Sequence, residues 1–364
     1  MQNKRIIIGG GGTGGHVFPA ISIANAIRER YPETEILFVG AEDKLEMEKV
    51  PEAGYRIIGL PVAGFRRKPG LSSFTFFYKL WKSMQKSKSI IKDFQPHIAV
   101  GVGGYASGPI LRAASARGIP VVIQEQNSYA GITNKLLAKK AASICVAYPG
   151  MEKYFPGDRI ILTGNPVRKD ILKTGPVDES FKFFGFDKKL KTILVIGGSQ
   201  GARTINESIT VHFNMFGENI QLLWQTGKYY FDNIWESLSG SAGNNIRILP
   251  FIREMHHAYT VADLIISRAG AGTISELAIA GKPVILVPSP NVAEDHQTKN
   301  ARSLTAVNAA LHISDTEAKE MLVPAALDLL NDPARMKELS GNLRKLAIPD
   351  SSDLIVNEIV KWIK

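Results

Sequence analysis

Twice along this chain a short β-branched run breaks straight into a glycine-rich loop and then a helix-like segment. Ile6-Ile7-Ile8 runs into Gly9–Gly15, and Leu194-Val195-Ile196 runs into Gly197-Gly198-Ser199-Gln200-Gly201. Strand, glycine turn and helix in that order open a doubly wound α/β domain. A chain of 364 residues is long for one core and sufficient for two. Further candidate strands fall at Glu35–Val39, His97–Val102, Pro120–Ile123, Ser143–Val146 and Ile160–Leu162, then at Ile220–Trp224, Ile246–Leu249, Leu264–Ser267, Pro283–Val287 and Ala310–Ile313. Most are continuous apolar runs, as in parallel sheets covered on both faces. The polar, turn-rich stretch Thr174-Gly175-Pro176-Val177-Asp178-Glu179 lies between the two starts. We therefore read two Rossmann-like doubly wound domains, 1–165 and 166–345, facing a central cleft that holds the ligand. A helix within 346–364, carrying Leu354, Ile355, Ile359 and Trp362, could pack back on the N-terminal domain.

With 45% apolar and 21% charged residues the composition is that of a soluble globular protein. The lone Cys145, inside Ile144-Cys145-Val146-Ala147, reads as a core filler, and the lack of any disulfide framework fits a reducing cytoplasm. Ile6-Ile7-Ile8 is too short for a signal-peptide core, and no stretch approaches the ~20 apolar residues of a spanning helix. The expectation is an intracellular protein that crosses no membrane. A net charge of +10 asks for an anionic partner, and nucleic acid, acidic lipid and phosphorylated substrates all qualify.

Both glycine loops place free backbone N–H groups and the positive end of a helix dipole where a phosphate could sit. Gly9-Gly10-Gly11-Gly12-Thr13-Gly14-Gly15-His16 contains a literal G-x-G-x-x-G, which admits a nicotinamide- or flavin-dependent enzyme with Glu42 or Asp43 holding the ribose. His16, where the loop enters the helix, has no evident job in binding such a cofactor. The second domain also brings a phosphate-type loop of its own.

The segment Gly11–Ala20, reading Gly-Gly-Thr-Gly-Gly-His-Val-Phe-Pro-Ala, resembles the N-terminal signature of the MurG-type GT-B glycosyltransferases. The resemblance continues through Gly103-Gly104-Tyr105-Ala106-Ser107-Gly108-Pro109, Glu125-Gln126-Asn127, Gly164-Asn165-Pro166-Val167-Arg168 and Gly197–Ala202. It ends with Arg268–Glu276 and Asp295-His296-Gln297, so the blocks cover most of the chain in order. It implies a GT-B fold and an inverting transfer of N-acetylglucosamine from UDP-GlcNAc. The acceptor would be the C4 hydroxyl of N-acetylmuramic acid in undecaprenyl-pyrophosphoryl-MurNAc-pentapeptide, a step of peptidoglycan synthesis at the cytoplasmic face of the bacterial membrane.

The resemblance also implies roles. In the second domain Ser199 and Arg168 would bind the pyrophosphate, the backbone at Ile252 the uracil, Glu276 the ribose hydroxyls and Gln297 the sugar hydroxyls. Thr298 follows Gln297 where some relatives carry a second Gln. In the first domain Thr13, Gly14, Gly15 and Asn127 would face the donor sugar across the cleft. A sugar hydroxyl is a poor nucleophile, and a general base typically gives 10²–10⁴-fold. His16 is the leading candidate because an imidazole can be neutral near pH 7; it could instead contact the acceptor or cap the loop. Tyr105 and Glu125 are further candidates for acceptor binding or proton handling.

No Asp-x-Asp pair occurs, and the histidines, His256-His257 included, lack evident partner ligands. The expectation is no obligatory metal and no cofactor, with loop amides, a helix dipole and Arg168 meeting the leaving-group charge. Between Glu52 and Asp93 there is no acidic residue, while Arg66, Arg67 and Lys68 flank Phe65, and Phe74, Phe77, Trp81 and Met84 follow helical steps. The ordinary reading is an amphipathic helix with its aromatics in the core. The alternative is an anionic-membrane patch, at ~1 kcal/mol per basic residue near the surface. No nucleic-acid recognition module accompanies the charge, so nucleic acid is not an expected partner. Outside the leading reading stand another GT-B sugar-nucleotide enzyme such as a UDP-GlcNAc 2-epimerase, the dinucleotide oxidoreductase, and a non-catalytic binding subunit.

Overall fold

The chain divides into two units, Met1–Val167 with Asp350–Lys364, and Arg168–Pro349. The computed structural model describes residues 4–62, 72–167, 171–172, 176–198 and 200–363. Arg168, Ser199, Phe65, Arg66, Arg67 and Lys68 lie outside the described residues, as does the side chain of Phe74.

The first unit holds β1 (Arg5–Gly9), α1 (Gly14–Arg30), β2 (Glu35–Ala41), α2 (Glu46–Glu52), β3 (Arg56–Leu60), α3 (Ser72–Phe94) and β4 (Ile98–Gly101), followed by α4 (Ser107–Ser115), β5 (Val121–Glu125), α5 (Ile132–Leu137), β6 (Ser143–Val146) and β7 (Ile160–Leu162). Its sheet is parallel in the order β3-β2-β1-β4-β5-β6-β7. Ile6 and Ile8 of β1 join a core with Ile23 and Ile27 of α1. Ile7 between them joins the opposite core with Ile110 and Leu111 of α4. Both faces of the strand are thus dry, and the sequence shows an unbroken apolar run where a half-exposed strand would alternate. Cys145 is fully buried, and burial, helped by Glu358, pushes its thiol up to about 12.

The second unit comprises α6 (Val177–Phe184), β8 (Lys191–Ile196), α7 (Arg203–Val211), β9 (Ile220–Gln225), α8 (Lys228–Leu238), β10 (Ile246–Leu249) and α9 (Met255–Val261), then β11 (Leu264–Ser267), α10 (Ala271–Ala280), β12 (Val284–Leu286), α11 (His296–Thr305), β13 (Leu311–His312), α12 (Ala318–Leu330) and α13 (Pro333–Arg344). Its sheet, again parallel, runs β10-β9-β8-β11-β12-β13.

A last helix, α14 (Ser351–Lys361), belongs to the first unit. Ile355, Val356 and Ile359 are buried in the core that holds Ile23 and Ile27. Hydrogen bonds pin this end of the chain to the unit, among them Trp362 Nε1 to Ser143 Oγ at 2.8 Å and Ser351 Oγ to the carbonyl of Asn165.

The sequence reading passed over β3. Arg56-Ile57-Ile58-Gly59-Leu60 is an edge strand, open on one side, and only Gly59 and Leu60 are buried. It opens on the charged, exposed Arg56 and is interrupted by Gly59, so its apolar run is short. Among the described residues no helix is long and apolar enough to cross a membrane.

Candidate active site

In each sheet the strand order reverses beside the first strand, between β1 and β4 in one unit and between β8 and β11 in the other. Parallel α/β sheets bind ligands at this switch point, outside the carboxyl ends of the strands. The motifs singled out in the sequence land there. Gly9–Gly15 follows β1 and Gly103-Gly104 follows β4; Gly197–Gly201 follows β8 and Arg268-Ala269-Gly270 follows β11.

At the second switch point lies a cavity of ≈ 610 Å³, within the size range of small-ligand sites. Gly198, Arg268, Gly270, Thr273, Ser289 and Gln297 are among its lining residues. The turn depends on glycine because Gly201 has φ +82 and a Cβ there would stand 2.1 Å from the carbonyl oxygen of Thr226. Gly270 caps α10, so the first turn of that helix rises beside the cavity. Gln297, at the start of α11, takes the N–H of Ser289 on its Oε1 at 2.9 Å. Just before it Glu294 and Asp295 hold φ +56 and +52, strained backbone of the kind that gathers at binding sites. Thr298 Oγ1 donates to Asp295 Oδ1 at 2.6 Å, so the neighbour of Gln297 serves this turn.

Of the other described donor candidates, Ile252 is buried and gives its N–H to Gln225 Oε1, and Glu276 accepts from the hydroxyl of Tyr259 at 3.2 Å. Neither lines the cavity. The sequence reading missed Gln225, whose Nε2 donates to the carbonyl of Gly198 at 3.0 Å, and the ion pair of Arg268 with Asp315 inside the cavity. A polar residue closing the apolar strand Ile220–Gln225 was the available signal for the first.

At the first switch point two glycine turns meet backbone to backbone: a Cβ on Gly104, at φ +83, would lie 2.1 Å from the carbonyl oxygen of Gly11. Thr13 caps α1, and its Oγ1 lies 3.3 Å from His16 Nδ1. The His16 ring rests against Gly103, where a Cβ would come within 2.8 Å of Nε2. Gly14 and Gly15 open the helix, and Tyr105 is exposed on the neighbouring turn. The structure thus brings Thr13, Gly14, Gly15, His16 and the Gly103-Gly104 turn together.

Glu125, a candidate for acceptor binding or proton handling, lies inside the first unit. It is 2% exposed, and its oxygens accept the N–H groups of Asn127 and Gly131 at 3.1 and 3.0 Å and the Asn134 side chain at 2.8 Å. Burial, partly offset by these bonds, raises its pKa above the ordinary carboxylate range. From there it braces the loop carrying Asn127.

The first loop is also not built like a dinucleotide cradle. The buried carboxylate of Glu46 accepts the N–H of Gly12 at 2.9 Å, so a pyrophosphate seated on this turn would meet a negative charge. Glu42, a candidate ribose acid, pairs instead with Lys86 at 3.0 Å.

On α3, Phe77 and Trp81 are 63% and 60% exposed and Tyr78 and Leu80 stand out beside them, while Ser83, Ser87, Ile90 and Ile91 form the buried face. The ordinary reading, aromatics in the core, fails for Phe77 and Trp81. The helix instead lies on the rest of the unit through its serine and isoleucine face.

Two parallel sheets, each with paired glycine turns at its switch point, are the architecture of the GT-B glycosyltransferases. The chain belongs to glycosyltransferase family 28: the profile of the family's N-terminal domain matches residues 6–146 and that of its C-terminal domain residues 192–355. It is 55% identical to the UDP-N-acetylglucosamine--N-acetylmuramyl-(pentapeptide) pyrophosphoryl-undecaprenol N-acetylglucosamine transferase of Parabacteroides distasonis, over 100% of this chain and 99% of that one. To the protein of the same name from Phocaeicola vulgatus it is 56% identical, over 99% and 96%. Among solved structures, Acinetobacter baumannii MurG superposes with a TM-score of 0.82 at 29% identity, covering 98% of this chain and 99% of that chain. A UDP-GlcNAc 2-epimerase from Neisseria meningitidis shares the fold at a TM-score of 0.65 and 14% identity, covering 98% and 100%.

Proposed function

We propose that the protein is an inverting glycosyltransferase that moves N-acetylglucosamine from UDP-GlcNAc to the C4 hydroxyl of N-acetylmuramic acid in a polyprenyl-pyrophosphoryl-muramyl-pentapeptide. The observation that carries this is the cavity of the second unit, where a glycine turn, the start of α10 and Gln297 meet at the switch point. The full-length similarity to N-acetylglucosamine transferases supports the choice of sugar and acceptor.

In this reading the second unit holds UDP-GlcNAc, with Arg168 and Ser199 on the pyrophosphate, and the first presents the acceptor beside His16, with Thr13, Gly14, Gly15 and Asn127 facing the donor sugar. The acceptor oxygen attacks the anomeric carbon, its proton passes to the His16 imidazole, and the bond from that carbon to the phosphate oxygen breaks. UDP departs with the bonding pair and the anomeric centre inverts. Loop amides and helix ends stabilise the leaving diphosphate without an obligatory divalent ion. The exposed Phe77 and Trp81, with Arg66, Arg67 and Lys68, hold the enzyme at the cytoplasmic, anionic surface of the membrane where a lipid-linked acceptor resides. No nucleic acid takes part.

The test supplies labelled UDP-GlcNAc and a short-chain muramyl-pyrophosphoryl lipid, with and without chelator. Chelator-resistant transfer to the lipid is expected. UDP-N-acetylmannosamine formed without any acceptor would favour the epimerase instead, and transfer only with magnesium would overturn the metal-free reading.

A further inference from the structure

Glu46 is 1% exposed, and among the described residues no cation pairs with it. A buried carboxylate is costly unless well hydrogen-bonded, and a side chain that only filled space here would be apolar. Glu46 instead bridges two backbone donors from different elements. Its Oε1 accepts the N–H of Ala41, at the end of β2, at 2.8 Å, and its Oε2 accepts the N–H of Gly12 at 2.9 Å. The slot around it is made of glycine. A Cβ on Gly11 would lie 2.0 Å from Oε1, and one on Gly40 would lie 2.5 Å from Cγ. Gly12 itself has φ +92, a conformation that the bond to Glu46 holds in place.

We infer that Glu46 is a positioning residue for the acceptor side of the reaction, clamping the first glycine turn to β2 so that Thr13, the opening amides of α1 and the ring of His16 stand in a fixed frame. The inference rests on the proposed function for its catalytic part and on the coordinates for its geometric part. The clamp ties the Gly12 N–H to the carboxylate, two residues before Gly14 and Gly15 open α1. Loss of the clamp leaves the donor cavity intact, because every residue lining that cavity belongs to the second unit.

Glu46→Gln tests it. Glutamine keeps the shape but only one acceptor oxygen, and it sets an NH₂ against one of the two N–H groups. We expect kcat to fall about 10- to 100-fold, the scale on which small misplacements act. The calorimetric affinity for UDP stays unchanged, and amide exchange across Gly9–Val17 accelerates. Glu46→Asp, one methylene short, does not restore kcat. A kcat within twofold of the parent, or a loss matched by an equal loss of UDP affinity, overturns the inference. Should Glu46→Gln fail to fold, Gly11→Ala presses a methyl on the same carboxylate while leaving its charge, and the same kcat-selective loss is expected; an unchanged kcat there overturns it equally. A parent protein that binds UDP but transfers no GlcNAc would overturn the functional reading itself, before any Glu46 variant is compared.

Discussion

The side-chain oxygen of Gln225 accepts the backbone N–H of Ile252 at 2.9 Å, and its nitrogen reaches the other way to the carbonyl of Gly198 at 3.0 Å. One buried amide at the end of β9 therefore sets the distance between the phosphate-type turn and the segment assigned to the uracil. Gln225→Leu removes both bonds and strands two backbone groups. It should cost about 1–3 kcal/mol of stability, the desolvation cost of an unpaired buried group, and weaken UDP binding in calorimetry. An unaltered UDP affinity would separate this bridge from the site.

Gly201 leaves no room for a side chain: at φ +82 its Cβ would press on the carbonyl of Thr226. Gly201→Ala should lower UDP affinity at least about tenfold, with strain on the order of 1–3 kcal/mol appearing as a lower Tm. Gly272→Ala, where a Cβ meets nothing within 4 Å, is the matched control and should do neither.

Phe77 and Trp81 stand out from α3, so their loss should scarcely touch the fold. The double variant Phe77→Ser/Trp81→Ser should unfold within about 0.5 kcal/mol of the parent, as surface changes do, while co-sedimenting less with anionic liposomes. Equal sedimentation of parent and variant would remove these side chains from membrane attachment. Charge reversal at Arg66, Arg67 and Lys68 should weaken the same binding and spare that of UDP.

For Glu125 the sign of the pH dependence follows from its raised pKa. The folded protein holds this proton more tightly than the unfolded chain does. Stabilisation is therefore complete below the ordinary carboxylate pKa of about 4.3 and is lost as pH rises through the higher folded value. Denaturant melts of the parent and of Glu125→Gln should show the parent losing ground to the variant as pH climbs through that window. Parallel curves at all pH values would contradict it.

His16→Ala deletes the proposed proton acceptor but leaves the glycine turns. Turnover should fall about 10²–10⁴-fold, the usual worth of a general base, with donor affinity retained. Near-parental turnover would take His16 out of the mechanism.

Much of this was legible because parallel strands buried on both faces announce themselves as apolar runs. Arg5–Gly9, Ser143–Val146 and Leu264–Ser267 begin and end where the sequence places them. The edge strand β3 lacks that signature because half of it faces out. Site residues divide in the same way. His16 and Gln297 sit within glycine- or motif-bearing segments, but Glu46 and Gln225 each bridge two backbone groups and reach far along the chain, Gly12 lying 34 residues from one and Ile252 27 from the other. Periodicity carries no trace of such a bond. Glu125 sits within one of the resembling blocks, but nothing in the sequence shows that burial turns its carboxylate onto its own loop.

The helix α14 has a consequence for synthesis on the ribosome. Residues 1–167 emerge early, yet the apolar flank of α1, with Ile23 and Ile27, waits for Ile355 and Ile359 to arrive. The half translated first is thus the half completed last, and a nascent or truncated polypeptide ending before Ser351 would carry an uncovered greasy surface for chaperones to shield.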